Sequence, residues 1–314
     1  MYEQGGCTSL NILCMHPTIN TYQIPLPFNN DQLPPPSRTT LYRSQSTTLL
    51  RFQFFFFSLT AITMTSNKLS LYLLPLIIAS LAATNVVYAT IFTLQNHCPY
   101  TVWPGTLSGN GAAVLGEGGF AMFPGAEIQL TAPAGWSGRF WARTGCNFDE
   151  AGNGKCVTGD CGGALKCTGG GEPPVTLAEF TVGSTLTDKD FYDVSLVDGY
   201  NVGMGLRATG GDGDCQYAGC VSDLNTNCPP ELRVTDSGSG VVVACKSACE
   251  AFNAPEFCCT GDHATPQTCS PTQYSAMFKS ACPTAYSYAY DDATSTCTCT
   301  GSDYLITFCP TGSS

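Results

Sequence analysis

Histidine is almost missing from this chain, with three in 314 residues. Downstream of residue 89 only His97 and His263 remain. That leaves little for a Ser-His-Asp hydrolase, and no Gly-x-Ser-x-Gly elbow is present. The groups Cys245-x3-Cys249, Cys258-Cys259 and Cys297-x-Cys299 lack companion histidines, so neither zinc nor another cofactor is expected. Basic residues are scarce too: 13 Lys and Arg stand against 24 Asp and Glu, a net charge of −11. A surface of that sign repels nucleic acid and anionic membranes. The apolar run from Leu69 to Ala83 holds about fifteen residues, short of the roughly twenty that span a bilayer, so no stable membrane insertion is expected.

What the chain has instead is cysteine, 19 in all. Cys7 and Cys14 lie near the start and the others between Cys98 and Cys309. Cytosolic reductants would keep so many thiols reduced, so this density argues for an oxidising compartment. Residues 1–63 carry Pro34-Pro35-Pro36, scattered Ser and Thr and an isolated Phe54-to-Phe57 cluster, with no sustained period. They read as a disordered upstream extension. Met64, Lys68, the apolar run and Val87-Tyr88-Ala89 follow the order of a secretory signal with small residues before its cut. The expectation is a signal peptide at 64–89 and a mature domain at 90–314.

Strand signals dominate that domain. Thr90-Ile-Phe-Thr-Leu-Gln alternates, with Phe92 and Leu94 on one side and Ile91 and Thr93 on the other. Thr101-Val-Trp leads into an expected turn at Pro104-Gly105. Phe120-to-Gly125, Glu127-to-Thr131, Gly138-to-Thr144, Val175-to-Val182, Phe191-to-Val197, Asn201-to-Thr209 and Tyr304-to-Cys309 are further short runs with turn residues between them. This spacing predicts an all-β sandwich or barrel. One helix is expected over Val241-to-Phe252, capped by Ser237 or Ser239, with Cys245 and Cys249 on one face.

Gly152 to Cys167 holds three cysteines and five glycines and no apolar run able to form a core. Only cross-links could hold such a piece in one shape. Its pattern is Gly-x-Gly-x-Cys-x-Thr-Gly-Asp-Cys, followed by Gly and Cys. With Asn96-His97-Cys98, Phe140-to-Cys146, Phe191-to-Asn201, Cys258-Cys259, Tyr286-Ser-Tyr288 and Phe308-Cys309-Pro310, it makes the domain resemble the plant thaumatin-like proteins, the fifth group of pathogenesis-related proteins.

The resemblance implies a mainly β fold. A flattened sandwich or barrel core uses 90–143, 175–221 and 283–314, with a stapled loop lobe at 144–174 and a helix-bearing disulfide lobe at 222–282. It implies the bridges Cys98–Cys309, Cys146–Cys156, Cys161–Cys167, Cys215–Cys299, Cys220–Cys282, Cys228–Cys245, Cys249–Cys258 and Cys259–Cys269. Connectivity of this kind is not readable from spacing. Cys297 is left over, where the family usually has an apolar residue. A buried free thiol is the favoured reading, against competition with Cys299 for Cys215 or a link between molecules.

The family's acidic cleft maps onto Arg143, Glu179, Asp193, Asp198 and Asp291. Clustered carboxylates raise one another's pKa, which a general acid in glycoside cleavage needs. An extended strand separates Asp193 from Asp198 by about 16 Å, too far for either glycosidase geometry. The expected catalytic pair is therefore Glu179 as acid with Asp193 as partner, while Arg143, Asp198 and Asp291 position the ligand. Tyr192 or Tyr200 is the expected platform for a sugar ring. The resemblance implies an antifungal defence protein that binds β-1,3-glucan of the fungal cell wall, with or without weak endo-β-1,3-glucanase activity; a monomer is expected, and the signal and the short tail after Cys309 point to apoplastic secretion. The alternative is a non-enzymatic antifungal protein acting on fungal membranes or proteins.

Overall fold

The computed structural model describes residues 88–109 and 111–311. The expectations for 1–63 and for the signal up to residue 87 lie outside the described residues. Chain order gives strands β1 (Ala89–Asn96), β2 (Trp103–Ser108), β3 (Glu127–Pro133), β4 (Ser137–Arg143), β5 (Asn147–Phe148), β6 (Gly154–Lys155) and β7 (Leu177–Thr181). They continue with β8 (Lys189–Ser195), β9 (Met204–Thr209), β10 (Ala218–Gly219), β11 (Arg233–Thr235), β12 (Val242–Cys245), β13 (Cys297–Thr300) and β14 (Asp303–Phe308).

Two five-stranded sheets form the sandwich, in the orders β10-β9-β14-β1-β3 and β13-β8-β7-β4-β2. Both sheets are open, so the core is a sandwich and not a barrel. Pairing is antiparallel except between β1 and β14, which run parallel. Alternation places Thr90, Phe92, Leu94 and Asn96 of β1 inward. Phe92 is the hub, with ring centroids 4.7–5.9 Å from Trp136, Phe140, Phe180 and Tyr304. Buried aromatic side chains of this kind each contribute about 2–3 kcal/mol by area alone.

Two local expectations are overturned. Pro104-Gly105 is not a turn but the interior of β2. β2 is an edge strand, where proline's missing N–H costs no ladder bond. Gly105 is required there because the Trp141 ring occupies the space a Cβ would take. The expected helix over 241–252 is in fact two elements. Val242–Cys245 is strand β12, paired with β11, and only Ala248–Phe252 is helical. A run of three β-branched valines favours the strand, and the cap is Ser247, whose Oγ accepts from Glu250 N at 3.1 Å. Cys245 and Cys249 thus share no helical face. A helix at Gln273–Ala281, with a Thr272–Ser275 capping box, was not anticipated.

Eight disulfides cross-link the described residues. They are Cys98–Cys309, Cys146–Cys156, Cys161–Cys167, Cys215–Cys299, Cys220–Cys282, Cys228–Cys245, Cys249–Cys258 and Cys259–Cys269, the pairs that the resemblance implies. Cys297 is a buried free thiol, and burial pushes it up to about 11, so it stays protonated and unreactive.

Candidate functional site

The outer face of the second sheet carries the site. In a strand every second side chain shares a face. On β4 these are Ser137, Arg139, Trp141 and Arg143; on β7, Leu177, Glu179 and Thr181; on β8, Phe191, Asp193 and Ser195. The ladder sets Arg139 opposite Glu179, and Glu179 opposite Asp193. One cation and two carboxylates therefore form a row across three strands. Directly opposed residues have Cβ atoms about 5 Å apart. Arg139 Nη1 lies 4.0 Å from Glu179 Oε1, both partly exposed.

The row has two flanks. On one side Trp141 is buried beneath the stapled loop, its indole N–H donating to Gly159 O at 2.9 Å. Val175, Leu177, Cys161 and Cys167 pack around it as a small cluster of their own. On the other side the segment holding Tyr286 lies alongside β8, through Tyr286 N to Val194 O and Leu196 N to Tyr286 O, each 2.8 Å. Tyr286 donates to Asp292 Oδ1 at 2.9 Å.

Within this setting Asp193 is the perturbed group. Its Oδ1 is shut off from solvent and has no hydrogen-bond partner. Burial pushes its carboxyl well above the usual range, with Glu179 and then Asp292 adding like charge. Burial thus favours the protonated form of Asp193, whereas the sequence pointed to Glu179 as the acid.

The remaining expected site residues fall elsewhere. Arg143 is fully buried under the stapled loop. Its guanidinium donates to the carbonyls of Trp103 (2.9 Å), Pro104 (3.2 Å), Ala164 (2.8 Å) and Leu165 (2.7 Å). Burial pushes it down to about 10, against an opposing pull from Asp160. It holds the loop and faces no ligand. Arg139, which shares its strand face, is the arginine of the row.

Tyr192 and Tyr200 are core residues, 0% and 1% exposed. Tyr192 must point inward if its neighbour Asp193 points outward, and Tyr200 donates to Asp223 Oδ1 at 3.1 Å. Neither can stack on a sugar. The Asp291 carboxylate is engaged by Lys279 Nζ at 2.9 Å, Ser287 N, Ser287 Oγ and Thr294 Oγ1. Burial alone would raise it, but these partners hold it below the ordinary range. Asp292, exposed and linked to Tyr286, takes its place beside the row. Asp198 ends the turn after β8 and acts on Glu250 of the helix Ala248–Phe252. Parity gives no way to choose Arg139 over Arg143, or Asp292 over Asp291. What covers each residue decides.

The Thaumatin family model matches residues 96–310. The chain is 68% identical over 223 residues to a pathogenesis-related thaumatin-like protein 3.5 of Cryptomeria japonica, covering 71% of this chain and 90% of that one. It is 69% identical over 225 residues to pathogenesis-related protein 5 of Arabidopsis thaliana, covering 71% and 92%. It is 50% identical over 226 residues to a Prunus avium protein named glucan endo-1,3-beta-glucosidase, covering 71% and 91%. The chain belongs to the thaumatin family, among the pathogenesis-related thaumatin-like defence proteins.

Proposed function

We propose that this protein is a secreted antifungal defence protein that binds β-1,3-glucan over the Arg139–Glu179–Asp193 row and cleaves it slowly. The observation that carries the reading is the cross-strand register of these residues. It brings two carboxyls together beside one arginine on a five-stranded sheet. Asp193 is the proton donor to the leaving oxygen. Glu179 is the ionised partner that attacks or stabilises the sugar cation, and Arg139 holds it in place. Cross-strand partners whose Cβ atoms lie about 5 Å apart favour the close carboxyl spacing of retaining glycosidases over the wider inverting one. The name of the Prunus avium relative adds support. Eight disulfides fit an extracellular, oxidising destination.

The test is laminarin binding and reducing-sugar release by the purified secreted protein, beside Glu179→Gln and Asp193→Asn. Turnover is expected to drop on the order of 100-fold in each variant, with binding retained. Glucan is neutral, so affinity should stay nearly flat with salt. Binding without turnover in the wild type would reduce the site to a lectin-like one. Neither binding nor turnover would move the antifungal action to fungal membranes or proteins.

A further inference from the structure

A second pair of carboxylates lies where the helix-bearing lobe meets the sandwich. The lobe is seated there by a two-hydrogen-bond bridge, Tyr200 N to Cys245 O at 2.8 Å and Cys245 N to Tyr200 O at 2.7 Å. Just before Tyr200 comes Asp198, whose carbonyl is anchored by Val175 N at 2.9 Å. Just after Cys245 comes the helix Ala248–Phe252, which carries Glu250. Glu250 Oε2 is buried and accepts no hydrogen bond. A buried carboxylate oxygen with no donor is costly when charged and tolerable when protonated.

We propose that Glu250 and Asp198 form a proton-dependent clasp between the lobe and the sandwich, seated while Glu250 is protonated and loosened when both side chains are ionised. Burial pushes Glu250 up to about 7; Lys246 opposes this and Asp198 adds to it. Lys246 and Asp198 are the charged groups acting on Glu250 from the adjoining chain. The neighbouring short helices Pro230–Leu232 and Pro255–Cys258 carry Glu231 and Glu256, both exposed, and Glu231 is engaged by Tyr274 at 3.0 Å. Arg233 is turned to Cys228 O at 2.7 Å.

The sign follows from linkage. A carboxyl raised in the folded state binds its proton more tightly there than in the unfolded chain. Its contribution is complete below the unfolded value and declines as pH rises through about 7. The cross-link Cys220–Cys282 keeps the lobe attached throughout, and Cys228–Cys245 ties the end of β12 within it. What changes is therefore local: the seating of the segment 242–252.

Hydrogen–deuterium exchange of the oxidised protein reads this directly. Protection factors for peptides spanning 242–252, corrected for the intrinsic pH dependence of exchange, are compared at about pH 5 and pH 8. Wild type should lose on the order of tenfold protection at the higher pH, below the limit set by the full shift because the site is partly hydrated. Glu250→Gln, which keeps the backbone bond to Ser247, should be flat. Asp198→Asn should reduce the drop even if the glutamine variant folds poorly. A flat wild type, or an undiminished drop in both variants, would overturn the clasp.

Discussion

The sandwich and the helix-bearing lobe hold their shapes by different means. The sandwich buries Phe92, Trp136, Phe140, Phe180, Tyr192 and Tyr304 between two sheets. The lobe has helices of four, five and nine residues, too short to persist alone. It is stitched by Cys228–Cys245, Cys249–Cys258 and Cys259–Cys269, spanning 17, 9 and 10 residues. Where apolar area is plentiful, packing supplies rigidity. Where it is scarce, limits placed on the unfolded chain do so. The carboxylate row stands on the first kind of structure and the Glu250–Asp198 seam on the second. The row is consequently the stiffer of the two.

The largest effect should come from the sandwich. Phe92→Ala removes the hub ring and is expected to lower global stability by about 4 kcal/mol, read by urea unfolding of the oxidised protein. If the loss were confined to the lobe, the comparison would fail. Next is Arg143→Met, which strands the carbonyls it now satisfies. About 3 kcal/mol should be lost, with limited proteolysis opening the stapled loop first. Retained loop protection would mean that the disulfides, and not Arg143, hold the loop.

Cys249→Ser with Cys258→Ser should cost roughly 2.5 kcal/mol, the entropy of one short loop. Exchange should rise in the lobe and leave β1 and β14 unchanged. The smallest effect is electrostatic. Because Asp193 is raised in the folded state, its contribution is present at low pH and is lost as pH rises through the folded value. Asp193→Asn should therefore flatten part of the stability profile above about pH 4, seen as a melting temperature that falls less with pH than in the wild type, with the Glu250 contribution remaining. An unchanged profile would mean the proton is not held there.

Much of the sandwich was legible along the chain. The alternation of Thr90 to Gln95 is that of a half-buried strand, and it separated Phe92 and Leu94, which the structure buries, from Ile91 and Thr93. The same rule, applied at Tyr192-Asp193, would have removed Tyr192 from the site. The 241–252 segment misled because cysteines four apart suggest a helical face, while the valines beside them pull the backbone into a strand. Glu250 carried no sequence signal, since its effect depends on being shut away from water.

By itself the sequence determined a cysteine-rich β domain and its stapled loop, while the residue types of an acidic cleft came only with the resemblance to a family. Composition, alternation and cysteine density are properties of the chain alone. Which arginine faces the carboxylates, which of Asp291 and Asp292 stands free of Lys279, and which carboxyl is shut away from water were decided only by tertiary structure. Those outcomes depend on what roofs each side chain and how much solvent reaches it, and neighbours far away in the chain supply both.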